Sequence, residues 1–70
     1  MITSIQISKK LSEAIKTSGK SQSEIARQLG IHHSQISRYI KGEKLPSIET
    51  LANLCVILDV DPADILCTNE

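Results

Sequence analysis

Residues 21–41 read SQSEIARQLGIHHSQISRYIK, and their pattern predicts two helices that meet at a tight turn. Ala26 is the one position in the first of these helices where a side chain larger than a methyl group would block the second. Gly30 supplies the left-handed backbone conformation that ends a helix at low cost. The stretch therefore predicts a helix-turn-helix over residues 22–41. The inner side of its angle is apolar and consists of Ile25, Leu29, Ile31, Ile36 and Tyr39.

One helix is predicted ahead of this unit, from about residue 5 to residue 18, with Gly19 just beyond its end. Its apolar residues recur at the spacing of a single buried helix face, and they are Ile7, Leu11, Ala14 and Ile15. Ser21 and Glu24 then have the S-x-x-E spacing of a capping box, in which each side chain accepts a hydrogen bond from a backbone N–H. This pattern predicts that the second helix covers residues 22–29.

Two helices are predicted after the unit. Pro46 forces an extended joint, and Ser47 then caps a fourth helix that runs to about residue 58. The predicted buried side of this helix consists of Ile48, Leu51, Leu54, Cys55 and Leu58. Asp61 supplies a capping side chain and Pro62 a preset first residue, which together predict a short fifth helix.

The length of the chain allows one domain with a small core, since a chain of about 60 residues buries only about 60% of its unfolded surface. Tyr39 is the single aromatic residue among 70, so aliphatic side chains must fill the core. We therefore expect an all-α fold, a compact five-helix bundle that occupies residues 1–70 and has a loose tail at 67–70. No apolar run approaches the roughly 18 residues of a membrane span, and no signal peptide is recognisable, so we expect a cytoplasmic protein.

Charge is distributed unevenly along the chain. All eight Lys and Arg lie at or before Lys44, where three Glu leave a net charge of +5, and the part from Leu45 onward has a net charge of −5. A total of zero argues against a nucleic-acid binder, which is usually basic overall. The asymmetry, however, would orient the molecule in the field of a polyanion with its first part forward. Ordinary solvated helix surfaces are the alternative explanation.

The pattern from about Leu11 to Leu66 resembles the phage-repressor and Cro type of helix-turn-helix domain, the XRE-like family. The motifs that carry the resemblance are SQSEIA, LGI, ISRYIKG, PSIETL and LDVDPADIL. It implies the lambda-repressor-like arrangement of five helices and a sequence-specific transcriptional regulator, most often a repressor. Many relatives pair an arginine of the first helix with a glutamate of the third, and the matching residues here are Ile15 and Ile40. Apolar residues can replace a buried ion pair at little or no cost in stability.

The hydrophilic side of the third helix, from His33 to about Lys41, is the candidate base-reading surface. In relatives, the first residues of this helix and those one turn later face the bases. This selects His33, Ser34, Ser37 and Arg38, with His32 and Gln35 as marginal contacts. Helix geometry agrees, since positions 33, 34, 37, 38 and 41 share one face. An arginine can bind guanine bidentately, and a phosphate contact or a solvated side chain is the alternative for Arg38.

Three further residues are expected to contact DNA phosphates. Gln22 opens the second helix, where relatives bind a phosphate and where backbone N–H groups favour anions. Lys41 and Lys44 flank the end of the third helix, and they would add affinity and salt dependence rather than sequence preference. The alternative for all three is an ordinary exposed side chain.

Catalytic and metal chemistry are not expected. His32 and His33 have no companions at zinc-ligand spacing, and Cys55 falls on a predicted buried stripe. No phosphate-binding loop and no nucleophile with an adjacent base is recognisable, so the sequence predicts no cofactor and no enzyme. Cys67 could link two chains only under oxidation, and a cytoplasmic protein normally keeps its thiols reduced.

The expected partner is double-stranded DNA with a near-palindromic operator. Relatives bind as dimers through their C-terminal regions, which presents two recognition helices about 34 Å apart to successive major grooves. Here Ile65, Leu66 and Val60 would supply the homodimer contact, with packing into the core as the equal alternative. The alternative function is a protein-interaction module of the antitoxin or regulatory-partner type.

Overall fold

In a computed structural model that describes residues 1–68, the chain forms five α-helices and the described part contains no strand. The helices are α1 (Ser4–Thr17), α2 (Gln22–Leu29), α3 (His33–Lys41), α4 (Ile48–Leu58) and α5 (Pro62–Ile65). The all-α fold with five helices is thereby confirmed, and α2 and α3 have the predicted bounds. Of the predicted loose tail at 67–70, residues 69 and 70 lie outside the described residues, while the Thr68 N–H donates to the Ala63 carbonyl at 3.0 Å.

Side chains cap the starts of all the helices, because the first turn leaves backbone N–H groups without helical partners. Ser21 caps α2 as predicted, its hydroxyl accepting from the Glu24 N–H at 3.1 Å. The expected return bond from Glu24 is absent from the described residues, where the Glu24 carboxylate instead accepts from Gln28 Nε2 at 3.5 Å. The two-sided capping box forms at the start of α1, between Thr3 and Gln6.

The ends of α2, α3 and α4 share one construction, a residue in the left-handed conformation. At the end of α2, Gly30 has φ 73°, and the N–H of Ile31 donates to the carbonyl of Ala26 at 3.0 Å. Gly42 ends α3 in the same way, and Asp59 with φ 55° ends α4. Aspartate tolerates this region better than most residues, so α4 closes without a glycine.

The core lies where the four longer helices meet, and α5 closes it from one side. Helix α1 packs on α3 and α5, while α2 packs on α3 and α4. The buried side chains are Leu11, Ile15, Ile25, Ala26, Ile36, Tyr39, Leu54, Cys55, Leu58 and Ile65. Ile15 is only 2% exposed and Ile40 packs against this core half-buried, which agrees with apolar packing in place of an ion pair.

The predicted buried stripe of α4 is wrong at Ile48. This side chain is 88% exposed, although Leu54, Cys55 and Leu58 on the same helix are buried as expected. Ile48 is the first residue of α4, so it extends past the region that the neighbouring helices cover. It is therefore an exposed apolar residue rather than a core residue.

A long-range hydrogen bond ties the start of α2 to the end of α4. The ammonium of the half-buried Lys20 donates to the carbonyl of Ile57 at 2.8 Å. That carbonyl belongs to the last turn of the helix, where carbonyl groups lack helical partners and a positive charge is favoured. Lys20 thus helps to fix the orientation of the helix-turn-helix on the rest of the domain.

Candidate nucleic-acid interface

Helix α3 has one buried side and one hydrophilic side. Ile36 and Tyr39 lie in the core and hold the helix against α1 and α2. On the other side, three residues are exposed and two are half-buried; these residues, called the polar face of α3 below, are His33, Ser34, Ser37, Arg38 and Lys41. All five carry hydrogen-bonding groups. The predicted base-reading residues therefore lie together on an accessible face whose position is fixed by the buried side.

The start of α3 is organised by His32, which the sequence suggested only as a marginal DNA contact. Its Nδ1 accepts a hydrogen bond from the Ser34 backbone N–H at 3.2 Å and lies 2.9 Å from the Ser34 hydroxyl. The ring also stacks on that of His33, with 4.4 Å between the centroids. His32 is thus the N-cap of α3. Sequence analysis missed this role because Ser, Thr, Asp and Asn are the usual capping residues.

Gln35, the other marginal contact, is half-buried on α3. Its Oε1 atom is covered and has no hydrogen-bond partner in the part of the chain that the structure describes. The amide of Gln35 is therefore less accessible to an approaching base than the guanidinium of Arg38, which is exposed.

The three predicted phosphate contacts lie at the two ends of the helix-turn-helix. Gln22 is exposed in the first turn of α2, and Lys41 and Lys44 are exposed on either side of Gly42. The structure also brings lysines of α1 to these ends, which sequence analysis did not select. Lys16 lines a groove with Gln22, and Lys9 lines one with Lys41. Lys9 and Lys16 could not be selected from the sequence, because they come near these ends only through the packing of α1 on α3.

The two cysteines differ in their burial. Burial, and secondarily the negative charge of Asp61, raises the pKa of the Cys55 thiol above its ordinary value of 9.0. Cys67 is half-buried and is not in a disulfide. Among the described residues, no three His, Cys, Asp or Glu side chains lie together as a metal site requires.

Within residues 1–68, none of the helices combines the length and apolar character needed to cross a membrane.

The residues suggested for a homodimer contact are divided between core and surface. Ile65 is buried in the core, and Val60 and Leu66 are half-buried. A more accessible apolar side chain in the same part of the chain is Val56, which lies in the last turns of α4 and is 80% exposed. Its position was not singled out from the sequence because it falls off the buried stripe of α4.

Comparison with known proteins agrees with this architecture. The model of the family described as Helix-turn-helix matches residues 11–65. No significant match was found among curated proteins. Among solved structures, the chain is similar to the crystal structure of the restriction-modification controller protein C.AhdI from Aeromonas hydrophila, at a TM-score of 0.76 and 22% identity, over 89% of this chain and 90% of that chain. Since the family match covers most of the sequence, the chain belongs to the helix-turn-helix family of the phage-repressor and Cro type, whose members are DNA-binding transcription regulators and not enzymes.

Proposed function

We propose that the chain is a sequence-specific repressor that inserts α3, from His33 to Lys41, into the DNA major groove. The observation that carries the proposal is the division of α3 into two sides. Ile36 and Tyr39 are buried, so the helix has one fixed orientation, and the polar face of α3 is left accessible. A major groove about 12 Å wide admits an α-helix and displays a different hydrogen-bonding pattern for each base pair.

Arg38 is the proposed centre of base recognition. Its side chain is exposed in the middle of the polar face, and a guanidinium matches the O6 and N7 acceptors of guanine. A good bidentate contact discriminates against the wrong base by about 1 to 3 kcal/mol. His33, Ser34 and Ser37 would add hydrogen bonds to neighbouring base pairs, and the cap formed by His32 holds the first turn of α3 ready for them.

The proposed phosphate contacts determine where α3 sits on the duplex. Gln22 is the first residue of α2, at the end of the helix where the N-terminal N–H groups favour an anion. Lys41 and Lys44 lie beyond the other end of the recognition unit. Contacts to phosphates position a protein on DNA without carrying sequence information, so these residues should affect all sequences alike.

A single recognition helix contacts few base pairs, which favours a homodimer on a near-palindromic operator. The proposed contact lies in the C-terminal part of the chain and uses Val56, Val60 and Leu66, because Ile65 is occupied in the core. The negative charge of that part would face away from the DNA. The proposed place of action is the cytoplasm, where such a regulator meets its DNA.

The test begins with selection of bound sites from random duplexes, followed by gel-shift competition between the selected site and unselected DNA. Arg38→Ala should reduce the preference for the selected site about 10-fold or more, because about 1.4 kcal/mol is a factor of ten. The matched control is Arg27→Ala, which removes an exposed arginine from α2 outside the polar face of α3. Unchanged selectivity of the Arg38 variant in this competition would refute its assigned role.

Salt dependence separates this function from the alternative of a protein-interaction module. Binding through several phosphates weakens steeply as salt rises, since each neutralised phosphate releases counterions. An apolar contact with a protein partner does not. If no duplex from the random pool is bound at low salt, the repressor proposal fails.

A further inference from the structure

Two adjoining grooves follow the side of α3 that borders α1. The larger has a volume of about 480 Å³, and its lining includes Lys9, Lys16 and Lys41. The smaller has a volume of about 300 Å³, and its lining includes Lys16 and Gln22. Lys16 and Ile40 line both. We call this pair of adjoining grooves the α1–α3 groove.

The α1–α3 groove connects the two ends at which phosphate contacts are proposed. Gln22 lies at one end and Lys41 at the other. Ile40 lies between them, and with about 100° per residue it is turned by about 60° from Ser37 on the polar face. It therefore marks the flank of the recognition helix. A helix in the major groove has a phosphate backbone on each flank, so the α1–α3 groove faces one of the two strands.

The charges around the groove suit a polyanion. Beside Gln22, the groove is lined by the apolar side chains of Ile15 and Ile40. Neither of these two positions therefore carries a charge, and no ion pair forms between them. The larger half carries three lysines and one carboxylate, that of Glu13. Lys20 also lines the smaller half, but its ammonium is hydrogen-bonded to the Ile57 carbonyl at 2.8 Å. Lys16 is exposed, and in the described residues no protein group is hydrogen-bonded to it, which leaves its ammonium for a phosphate.

We infer that α1 forms part of the DNA interface, with Lys16 bound to a backbone phosphate between those held by Gln22 and Lys41, and Lys9 bound to the same strand. The inference rests on the proposed function, since it needs α3 in the major groove. It assigns to α1 a contact that fixes the tilt of the domain on the duplex. Lysine is a point charge on a flexible stem and carries no base preference, so this contact adds affinity for any sequence.

The test measures the salt dependence of binding for the whole chain, with fluorescently labelled duplexes of the selected site and of a mixed sequence. Lys16→Gln should weaken binding to both duplexes by the same factor. It should also reduce the slope of log K against log salt by about 1, so that affinity falls about four-fold less than in the original chain between roughly 50 and 200 mM salt. Lys9→Gln should change the slope in the same direction.

The matched control is Lys10→Gln, which removes the same charge from the same helix. Lys10 does not line the α1–α3 groove; it lines one groove with Val60 and Cys67 and another with Cys67 and Lys9. Circular dichroism establishes that the variants keep their helices. Equal slopes for the Lys16 and Lys10 variants, with steep salt dependence in the original chain, would overturn the assignment of α1 and leave the proposed function standing. Failure of the original chain to bind either duplex would overturn both.

Discussion

Lys16 and Lys20 are four positions apart, yet their surroundings give them different roles. Lys20 is half-buried and donates to the Ile57 carbonyl, whereas Lys16 is exposed beside the α1–α3 groove. The charge of Lys20 is partly used to complete the hydrogen bonding of α4. The basic residues in the first part of the chain are thus not equally available for the proposed phosphate contacts.

The thiol of Cys55 gives a pH-dependent prediction. Its pKa is raised by burial and by Asp61 above the ordinary value of 9.0, so the folded state holds this proton more tightly than the unfolded state. Below about pH 8 both states are protonated and the thiol has no effect on the pH dependence of stability. As pH rises further, the unfolded state loses the proton first, and the free energy of unfolding should fall.

Urea unfolding from about pH 7 to about pH 10 checks this prediction. The matched variant is Cys55→Ala, which lacks the thiol and should lose less stability over the alkaline range than the original chain. The two free energies of unfolding should therefore converge as pH increases. Parallel curves would show that the Cys55 thiol titrates alike in both states.

The sequence predicts which faces of each helix are buried but not every hydrogen-bond partner of a side chain. The polar face of α3 follows from helical periodicity, and the structure leaves Arg38 exposed there. The bond between Lys20 and Ile57 joins residues 37 positions apart, so no local pattern contains it. The covered Oε1 of Gln35 is likewise a result of tertiary packing.

The helix boundaries were largely predictable from the sequence, because a cap depends on residues that are neighbours along the chain. Ser47 and Asp61 cap the starts of α4 and α5 with their side chains. Gly30 and Gly42 end α2 and α3, because a residue without a side chain adopts the left-handed conformation at low cost. The error at Ile48 arises because helix periodicity gives the direction of a side chain but not how far the neighbouring helices extend. The core ends before it reaches Ile48, the first residue of α4, although Leu51 three residues later still packs against it.

The cap of α3 yields a prediction about two adjacent histidines. His32→Ala should lower the free energy of unfolding by about 1 kcal/mol, since it removes the acceptor for the Ser34 N–H. His33→Ala is the matched control and should cost less, because His33 is exposed and its ring contributes only the stacking contact. His32→Asn should restore most of the loss, since Asn is among the best capping residues.

Urea unfolding at one pH and salt concentration compares these variants. The DNA affinity of His32→Ala can be measured with the same samples, and it should fall along with the order of the first turn of α3. If the alanine variants at 32 and 33 lose equal stability, His32 does not act as the cap.

The proposed homodimer gives a prediction about Val56, the exposed apolar side chain of α4. Val56→Ser should raise the dimer Kd about 10-fold or more, because burying a valine side chain contributes about 1.5 kcal/mol or more. Ile5→Ser is the matched control, as Ile5 is a similarly exposed apolar residue, 77% against 80%, at the start of α1. Sedimentation equilibrium gives both constants. Equal dimer constants for the two variants would remove Val56 from the proposed contact.

The apolar pair at positions 15 and 40 also restricts which charged substitutions the domain tolerates. An arginine at position 15 alone would be an unpaired charge at a site that is 2% exposed, and one uncompensated buried charge costs about 3 to 5 kcal/mol. A domain of this size has little more stability than that. A glutamate at the half-buried position 40 would be tolerated better. Ile15→Arg should therefore cost much more stability by itself than Ile40→Glu, and adding Ile40→Glu to Ile15→Arg should recover part of the loss.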